Sequence, residues 1–429
     1  LEFIILFVLP LFQKETLRRN ESASGGLVLK SIVNSAISSV VPKNDANTSI
    51  ILPGFVVSAQ AVAQKEKQKK AKKEVSETNE DLMKWLATSQ AKIRVVGVGG
   101  GGNNTINRMS EIGIQGAETY ALNTDAQALI GINSDKKILI GKKLTRGLGA
   151  GSNPDVGEGA ARESAEDLQS LLDGSDLVFV TCGLGGGTGT GAIPVVAEIA
   201  HDLKALTIAI VTLPFTVEGK KRMENAMSGL AKLRKAVDTV IVIPNDKILE
   251  IAPDLPVNAA FKVADEVLTN AVKGITEMVT KPGLINLDFA DLRTILERGG
   301  AAMIGLGESQ TEKVSESRAL EAIENALTSP LLDVDISEAS RALVNVIGGS
   351  DMTLREAEMV VETVSSKINP NAHIIWGAMI NDDIPRNKIQ AMVVIAGGRL
   401  PYLDSEGEIK EFVGKSGGSG NFDLGIKFA

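Results

Sequence analysis

Three groups of residues in this chain have the types and spacing to do chemistry. The first is Gly183-Leu184-Gly185-Gly186-Gly187-Thr188-Gly189-Thr190-Gly191. Five of the seven residues 185–191 are glycine, and threonines alternate with the last three. Glycine lets a backbone approach phosphate oxygens with no Cβ in the way, and threonine adds hydroxyl donors. A plain tight turn is the bland alternative, and it needs far fewer glycines. The second group is Gly97-Val98-Gly99-Gly100-Gly101-Gly102-Asn103-Asn104. Gly97, Gly99 and Gly102 satisfy G-x-G-x-x-G, and Asp125 follows the next strand. Taken alone this is a dinucleotide fingerprint, as in an NAD-dependent oxidoreductase, but any nucleotide-binding βαβ unit can produce it. The third group is Asn286, Asp288 and Asp291, just after Lys281-Pro282-Gly283. Carboxylates so placed can orient a water for attack on a phosphate or help hold a cation. They can equally be caps of the next helix, and residue chemistry alone leaves the two readings even.

These groups need elements to position them. Leu177 to Cys182 is a short apolar, β-prone run before the first glycine loop, and Ala192 to Ala200 reads as a helix with Pro194 in its first turn. Lys92 to Val96 and Thr119 to Leu122 read as strands flanking a helix through Met109. A third small-residue loop, Leu148 to Pro154, leads into a helix spanning 156–172. Three strand-to-helix loops rich in Gly, Asn or Thr then converge at one edge of a parallel sheet, where such sheets bind ligands. Thr207 to Thr212 and Val240 to Ile243 continue the strands. From Pro256 to about Thr280 the apolar positions Ala264, Leu268, Ala271, Ile275 and Met278 mark one face of a long helix. About 25 residues at 1.5 Å each give about 37 Å, the width of a domain. Strands at 301–306, 342–347, 374–378 and 389–396, with helices at 317–328 and 354–367, form an α+β or α/β remainder with no obvious chemical site.

Composition narrows the class. The net charge of -8 argues against a general nucleic-acid binder. Cys182 is the one cysteine, so no intrachain disulfide forms, which fits a reducing compartment. His201 and His373 are the only histidines, too few for a histidine-rich metal site, and His201 near a helix end is expected to be partly exposed. No metal-ligating cluster and no membrane span is expected. Residues 1–80 look unlike the rest. The apolar runs 1–12 and 50–63 are short for a bilayer, and Ser58 to Ala61 suits signal-peptide cleavage. No basic region precedes the first run, so an over-extended or truncated reading frame is an equal alternative. The six lysines within 65–73 read as a solvated run rather than a lipid or nucleic-acid site. Asp81 to Leu86 reads as a short amphipathic helix.

Gly185 to Gly191, GGGTGTG, resembles the phosphate-binding signature of the tubulin/FtsZ superfamily. The resemblance to FtsZ runs from 92 to 396 with motifs in the expected order. Asn123 to Leu129 is similar to the segment beside the phosphates, and Pro214 to Arg222 to the segment at ribose and guanine. Lys281 to Leu292 is similar to the loop that completes catalysis on a neighbouring subunit. Ile374 to Ala378 and Thr181 to Gly183 look most like the archaeal branch. No P-loop G-x-x-x-x-G-K-[ST] occurs, which removes a Ras-type GTPase.

The resemblance implies an α/β fold of tubulin/FtsZ type. A Rossmann-type parallel-sheet GTPase domain (81–255) is joined by a long central helix (256–281) to a smaller α+β domain (282–405). A poorly ordered extension (1–80) precedes it, and a flexible linker with a C-terminal tip (406–429) follows. It implies GTP or GDP bound at Gly100, Gly101, Gly102, Asn103, Asn104, Ala150, Gly151, Gly186, Gly187, Thr188, Gly189, Thr190, Glu218, Arg222, Phe261 and Asp265, with Mg²⁺ bridging the phosphates. Phe261 would stack on the base, and Asp265, one turn on, would accept from guanine N1 and N2, which adenine cannot match. Without the loops these two are an ordinary helix-surface pair, and Glu218/Arg222 an i,i+4 ion pair. Asn286, Asp288 and Asp291 would be catalytic toward the next subunit's GTP. The implied protein is a cytoplasmic, head-to-tail polymerising GTPase of the division site. Residues 422–428 resemble a peptide that docks to membrane anchors and regulators, or are a frayed end. A non-hydrolysing tubulin-like regulator is the other alternative, and the complete Asn286/Asp288/Asp291 set argues against it.

Overall fold

The structure is a computed structural model that describes residues 49–52, 55–58, 91–251, 256–281, 283–310, 316–332, 335–381 and 384–397. Two compact units result, Leu1–Ser89 and Gln90–Ala429. In the first, β1 (Ser49–Leu52) pairs antiparallel with β2 (Phe55–Ser58). The expected apolar start, basic run, amphipathic helix and C-terminal tip lie outside the described residues.

The second unit is built on one sheet of ten strands. Its first six are β3 (Ile93–Val98), β4 (Ala117–Asn123), β5 (Lys136–Leu139), β6 (Leu177–Gly183), β7 (Leu206–Leu213) and β8 (Thr239–Pro244). They lie parallel in the order β5-β4-β3-β6-β7-β8. This is the doubly wound order, with its reversal between β3 and β6. Every position of β7 and β8 is buried, as expected of parallel strands covered on both faces. The sheet continues through β9 (Gly300–Glu308), whose start pairs parallel with β8, to β12 (Ile389–Ala396), β10 (Arg341–Gly348) and β11 (His373–Ile380). Only β12 runs antiparallel to its neighbours.

Alternation along the strands divides the core in two. Val96, Val98, Val178, Val180 and Cys182 face one layer, and Ile93, Val95, Leu177 and Phe179 the other. On the second face lie α1 (Gly99–Ile112) and the long α9 (Val257–Thr280), which buries Ala264, Leu268, Ala271, Ile275 and Met278. Those are the positions that the helical period marks. On the first face lie α4 (Pro154–Glu163), α5 (Ala165–Leu172), α6 (Thr188–Asp202) and α7 (Lys220–Ala236). Short α2 (Ala126–Ile130), α3 (Lys142–Thr145) and α8 (Asn245–Ile251) fill connections. α10 (Phe289–Leu296), α11 (Glu316–Leu327) and α12 (Leu354–Lys367) complete the set. Among the described residues no helix is long and apolar enough to cross a membrane.

Three expectations are corrected. The helix expected over 156–172 is two, broken at Ser164, whose φ of -102° and ψ of 17° leave the helical region. Its hydroxyl there accepts from the Gly141 N–H at 3.0 Å. The helix after the glycine loop begins at Thr188, so Pro194 sits inside it rather than in its first turn. The first helix begins at Gly99, within the other glycine cluster. The edge strand β5 had no expectation at all. His201 is exposed at its helix end, as expected.

Among the described residues of the C-terminal half, one charged side chain is fully buried. Arg318 on α11 has no exposed side chain and forks onto Glu356 on α12, with Nε to Oε1 at 2.6 Å and Nη2 to Oε2 at 3.0 Å. Its Nη1 donates to Asp351 Oδ2 at 2.6 Å and to the Arg386 carbonyl at 2.5 Å. Glu356 also accepts from Thr353, closing a capping box at the start of α12. Breaking a buried pair strands a charge, so Glu356→Ala should lower unfolding stability by about 3–5 kcal/mol. Replacing Arg318 and Glu356 together by Met and Leu should lose much less. Denaturant midpoints of the two variants check both statements.

Candidate functional site

The sheet reversal lies where both glycine loops leave it. β3 runs straight into α1, with Gly99 at φ +71°. β6 runs into α6 through Gly185 at φ +103°. The two loops touch backbone to backbone. A Cβ on Gly99 would stand 2.7 Å from the Gly189 nitrogen, and one on Gly101 3.0 Å from the Gly183 nitrogen. A Cβ on Gly102 would overlap the Thr181 carbonyl. Neither α1 nor α6 has a side-chain cap; α3, α5, α7 and α9 also lack one, but α1 and α6 are the two whose uncapped starts meet at the reversal, while α2, α4, α10 and α12 are capped by Asp125, Asn153, Asp288 and Thr353. The first intrahelical bond of α6 is Gly191 N–H to Gly187 O. The N–H groups of Gly187, Thr188, Gly189 and Thr190 therefore have no acceptor within the helix. Two uncapped positive helix ends at one switch point suit an anion such as a phosphate chain.

Around this point the structure brings most of the expected residues together, in differing capacities. Gly100, Gly101 and Asn104 are exposed. A Cβ on Gly100 or Gly186 would meet nothing within 4 Å. Asn103 is buried. With its amide oriented to satisfy both ends, it donates to Gly97 O at 2.9 Å and Leu122 O at 3.2 Å and accepts from Asn123 Nδ2 at 3.1 Å. Thr190 is buried too, and its hydroxyl accepts from the Gly185 N–H at 2.8 Å. Asn103 and Thr190 brace the loops. Gly187 presses on the 148–154 loop: a Cβ there would stand 2.8 Å from Asn153 N and 2.9 Å from Ala150 Cβ. The hydroxyls of Thr188 and Thr124 are 2.6 Å apart. Gly151 is exposed at φ +56°, beside the buried Ala150.

The far side of the same sheet edge holds the remaining candidates. Glu218 Oε2 pairs with Arg222 Nη1 at 3.0 Å, and Oε1 accepts from the Phe215 N–H at 2.8 Å. Phe261 is 40% exposed and rests edge-on against Phe215, ring centres 5.0 Å apart. Asp265, one turn later on α9, is half-buried, and its Oδ1 lies 3.2 Å from the Thr105 hydroxyl on α1. Burial pushes its carboxyl up to about 6, against the pull of the Thr105 hydrogen bond and the Arg108 charge. Sequence reasoning placed Thr124 beside the phosphates but missed Thr105 and gave no role to Asp246, which accepts from Thr216 N–H at 3.0 Å. Thr105 and Asp265 are 160 positions apart, so no local pattern links them. Behind the loop, a polar cavity of about 330 Å³ opens between α4, α6 and α7, lined by Asn153, Thr190, Asn225 and Lys232 among others.

Asn286, Asp288 and Asp291 stand apart from this cluster, beyond α9. All three are exposed, and the buried Leu287 anchors their loop. Leu284 N–H donates to Ala378 O at 2.8 Å, laying the segment on edge strand β11. Asn286 Oδ1 accepts from Gly283 N–H at 2.5 Å. Asp288 Oδ1 accepts from Asp291 N–H at 2.8 Å and caps α10. The capping alternative is thus realised for Asp288, while the Asp291 carboxylate caps nothing in α10 and faces solvent.

Comparison with known proteins bears on both regions. Residues 92–253 match the model of the Tubulin/FtsZ family, GTPase domain, and residues 300–399 that of the FtsZ family, C-terminal domain. The chain is 57% identical over 340 residues to cell division protein FtsZ 1 of Thermococcus kodakarensis, covering 79% of this chain and 90% of that one. It is 57% identical over 334 residues to the FtsZ 1 of Methanocaldococcus jannaschii, covering 77% and 90%. A solved structure, an empty FtsZ dimer from M. jannaschii, superposes with a TM-score of 0.71 at 58% identity, over 75% of this chain and 92% of that chain.

The loop contacts separate two neighbouring glycines. Gly187→Ala forces its Cβ into the 150–153 backbone and should cost about 1–3 kcal/mol. Gly186→Ala meets open space at an ordinary φ and should leave stability unchanged or raise it by about 0.4–1 kcal/mol. Thermal unfolding of the two variants without ligand checks the contrast.

Proposed function

This chain belongs to the FtsZ branch of the tubulin/FtsZ family, and from that premise we propose a GTPase that polymerises head to tail and builds the division ring. The observation that carries it is the meeting of two uncapped helix ends at the sheet reversal, beneath a carboxylate suited to guanine. Gly100, Gly101, Gly102, Gly186, Gly187, Thr188 and Gly189 would bind the phosphates through backbone N–H groups. Asn103 and Thr190 would hold these loops in shape, and Ala150 and Gly151 would close over the phosphates from the side. Asn104 would face the ligand beside them. Glu218 and Arg222 would contact the ribose, Phe261 would stack on the base, and Asp265 would accept from guanine N1–H and N2–H. The functional division would follow 81–255 for the nucleotide, 256–281 for the connecting helix and 282–405 for the second part.

Among the described residues no group of three or more His, Cys, Asp or Glu could hold a metal ion. The donors at the reversal are hydroxyls and N–H groups, which suit an anion. Mg²⁺ would therefore be carried by the nucleotide phosphates, where it would neutralise charge on the β- and γ-oxygens. Asn286, Asp288 and Asp291 sit past a helix of 24 residues, about 36 Å long. They would act on the GTP of the next subunit, with the exposed Asp291 orienting the attacking water. Such a contact is heterologous and propagates as a filament. The filament would act at mid-cell in the cytoplasm and reach membrane anchors or regulators through residues 422–428.

Turnover per subunit should rise with protein concentration, in step with light scattering. Asp291→Ala should bind GTP almost normally and hydrolyse it slowly. Gly186→Val should fold but not bind. Mixing the two should restore part of the activity, because some contacts then pair an intact loop with an intact pocket. Turnover per subunit that does not change with concentration, with no recovery on mixing, would mean a self-contained site. GTP affinity should also depend on pH in one direction. The carboxylate must be ionised to accept from guanine, so affinity is full above about pH 6 and falls as pH drops through it, by up to about tenfold per unit. Calorimetry across pH 5 to 7.5 in about half-unit steps should show this slope in the parent chain and its loss in Asp265→Ala.

A further inference from the structure

Thr105 lies one helical turn after Gly101 on α1, with no exposed surface. Its hydroxyl is 3.2 Å from the Gly101 carbonyl and 3.2 Å from Asp265 Oδ1. One hydroxyl proton serves one acceptor at a time. The Gly101 carbonyl is a neutral acceptor, whereas an ionised carboxylate forms the stronger, charge-assisted bond. The carboxylate has Thr105 as its one hydrogen-bond partner among the described residues. Arg108, one turn further along α1, contributes charge at longer range while its guanidinium pairs with Glu111 at 3.1 Å. The hydroxyl proton therefore belongs to Asp265.

We infer that Thr105 is a positioning residue for base selection: its hydroxyl pins Oδ1 of Asp265 and so presents the carboxylate edge to both N–H donors of guanine. This rests on the proposed reading of Asp265 as the guanine acceptor. A carboxylate held at one oxygen cannot rotate away, and two parallel bonds to N1–H and N2–H demand a fixed plane. The same hydroxyl sits against the first turn of α1, whose N–H groups face the phosphates. Base and phosphates are thus read by groups that share one side chain.

The test compares GTP with inosine triphosphate, which keeps N1–H and lacks the 2-amino group. Thr105→Val keeps the shape and removes the hydroxyl. GTP affinity should fall about tenfold, inosine triphosphate affinity should fall less, and the preference between them should shrink. Thr105→Ser should restore the preference. If Thr105→Val does not fold, Thr105→Ala against Thr105→Ser makes the same comparison at equal loss of the methyl group. Equal weakening of both nucleotides would mean the hydroxyl acts on the phosphate loop or on packing, and would overturn the inference. So would unchanged binding. A parent chain that does not bind GTP would instead overturn the functional reading, a different result.

Discussion

The structure depends on a gap at the sheet reversal through which only backbone fits. β3 and β6 are adjacent and parallel, and their chains leave toward opposite faces of the sheet. Gly99 lies against Gly189, Gly101 against Gly183, and Gly102 against the Thr181 carbonyl. A single methyl group at any of these points pushes the two strand ends apart. The constraint extends outward. Gly157 on α4 is pressed on the Gly187 carbonyl, and Gly191 on α6 on the Pro154 carbonyl. Close approach of these backbones aims the N-termini of α1 and α6 at one place. On the proposed reading, the helix ends can meet there without caps because the nucleotide phosphates would supply the acceptors.

A second consequence follows from the length of α9. One end of this helix carries Phe261 and Asp265, and the other leads into the loop of Asn286, Asp288 and Asp291. The helix is buried along its apolar face against the sheet, so it is a rigid spacer. The loop is tied to edge strand β11 through Ala378 and anchored by the buried Leu287. On the proposed reading, a fixed distance of about 36 Å makes hydrolysis a property of two subunits and not of one. Assembly would then control the chemistry.

Legibility in the sequence followed the range of the signal. The glycine loops, the strands beside them and the apolar face of α9 were readable because composition and period are local. The helix start at Thr188 was not, because glycine is a poor helix former and the sequence argues for a loop. Packing against α4 overrides that preference, since only glycine fits at Gly191. The break at Ser164 depends on Gly141, 23 residues away. β5 escaped because Lys136 and Lys137 make a short polar edge strand that carries little apolar pattern. Among the site residues, Glu218 and Arg222 were visible as a pair, but the support of Glu218 by Phe215 N–H and of Phe261 by the Phe215 ring was not. The assignment of Asn103 and Thr190 to bracing needed burial, which no motif supplies.

On the proposed reading, Arg318 and Asp265 contrast a structural buried charge with a functional one. Both are ionisable groups withdrawn from water, which is costly unless partners replace the solvent. Arg318 has a full set: two oxygens of Glu356, one of Asp351 and a carbonyl. Its donors are committed, and its side chain has no exposed surface. It can tie α11 to α12 and do nothing else. Asp265 has one hydroxyl at one oxygen and a carboxyl raised by burial. Its free energy is therefore improved by any ligand that brings two parallel N–H donors to the open edge. Guanine does so and adenine does not. On the proposed reading, the incompleteness of the Asp265 hydrogen bonding is what would make it selective.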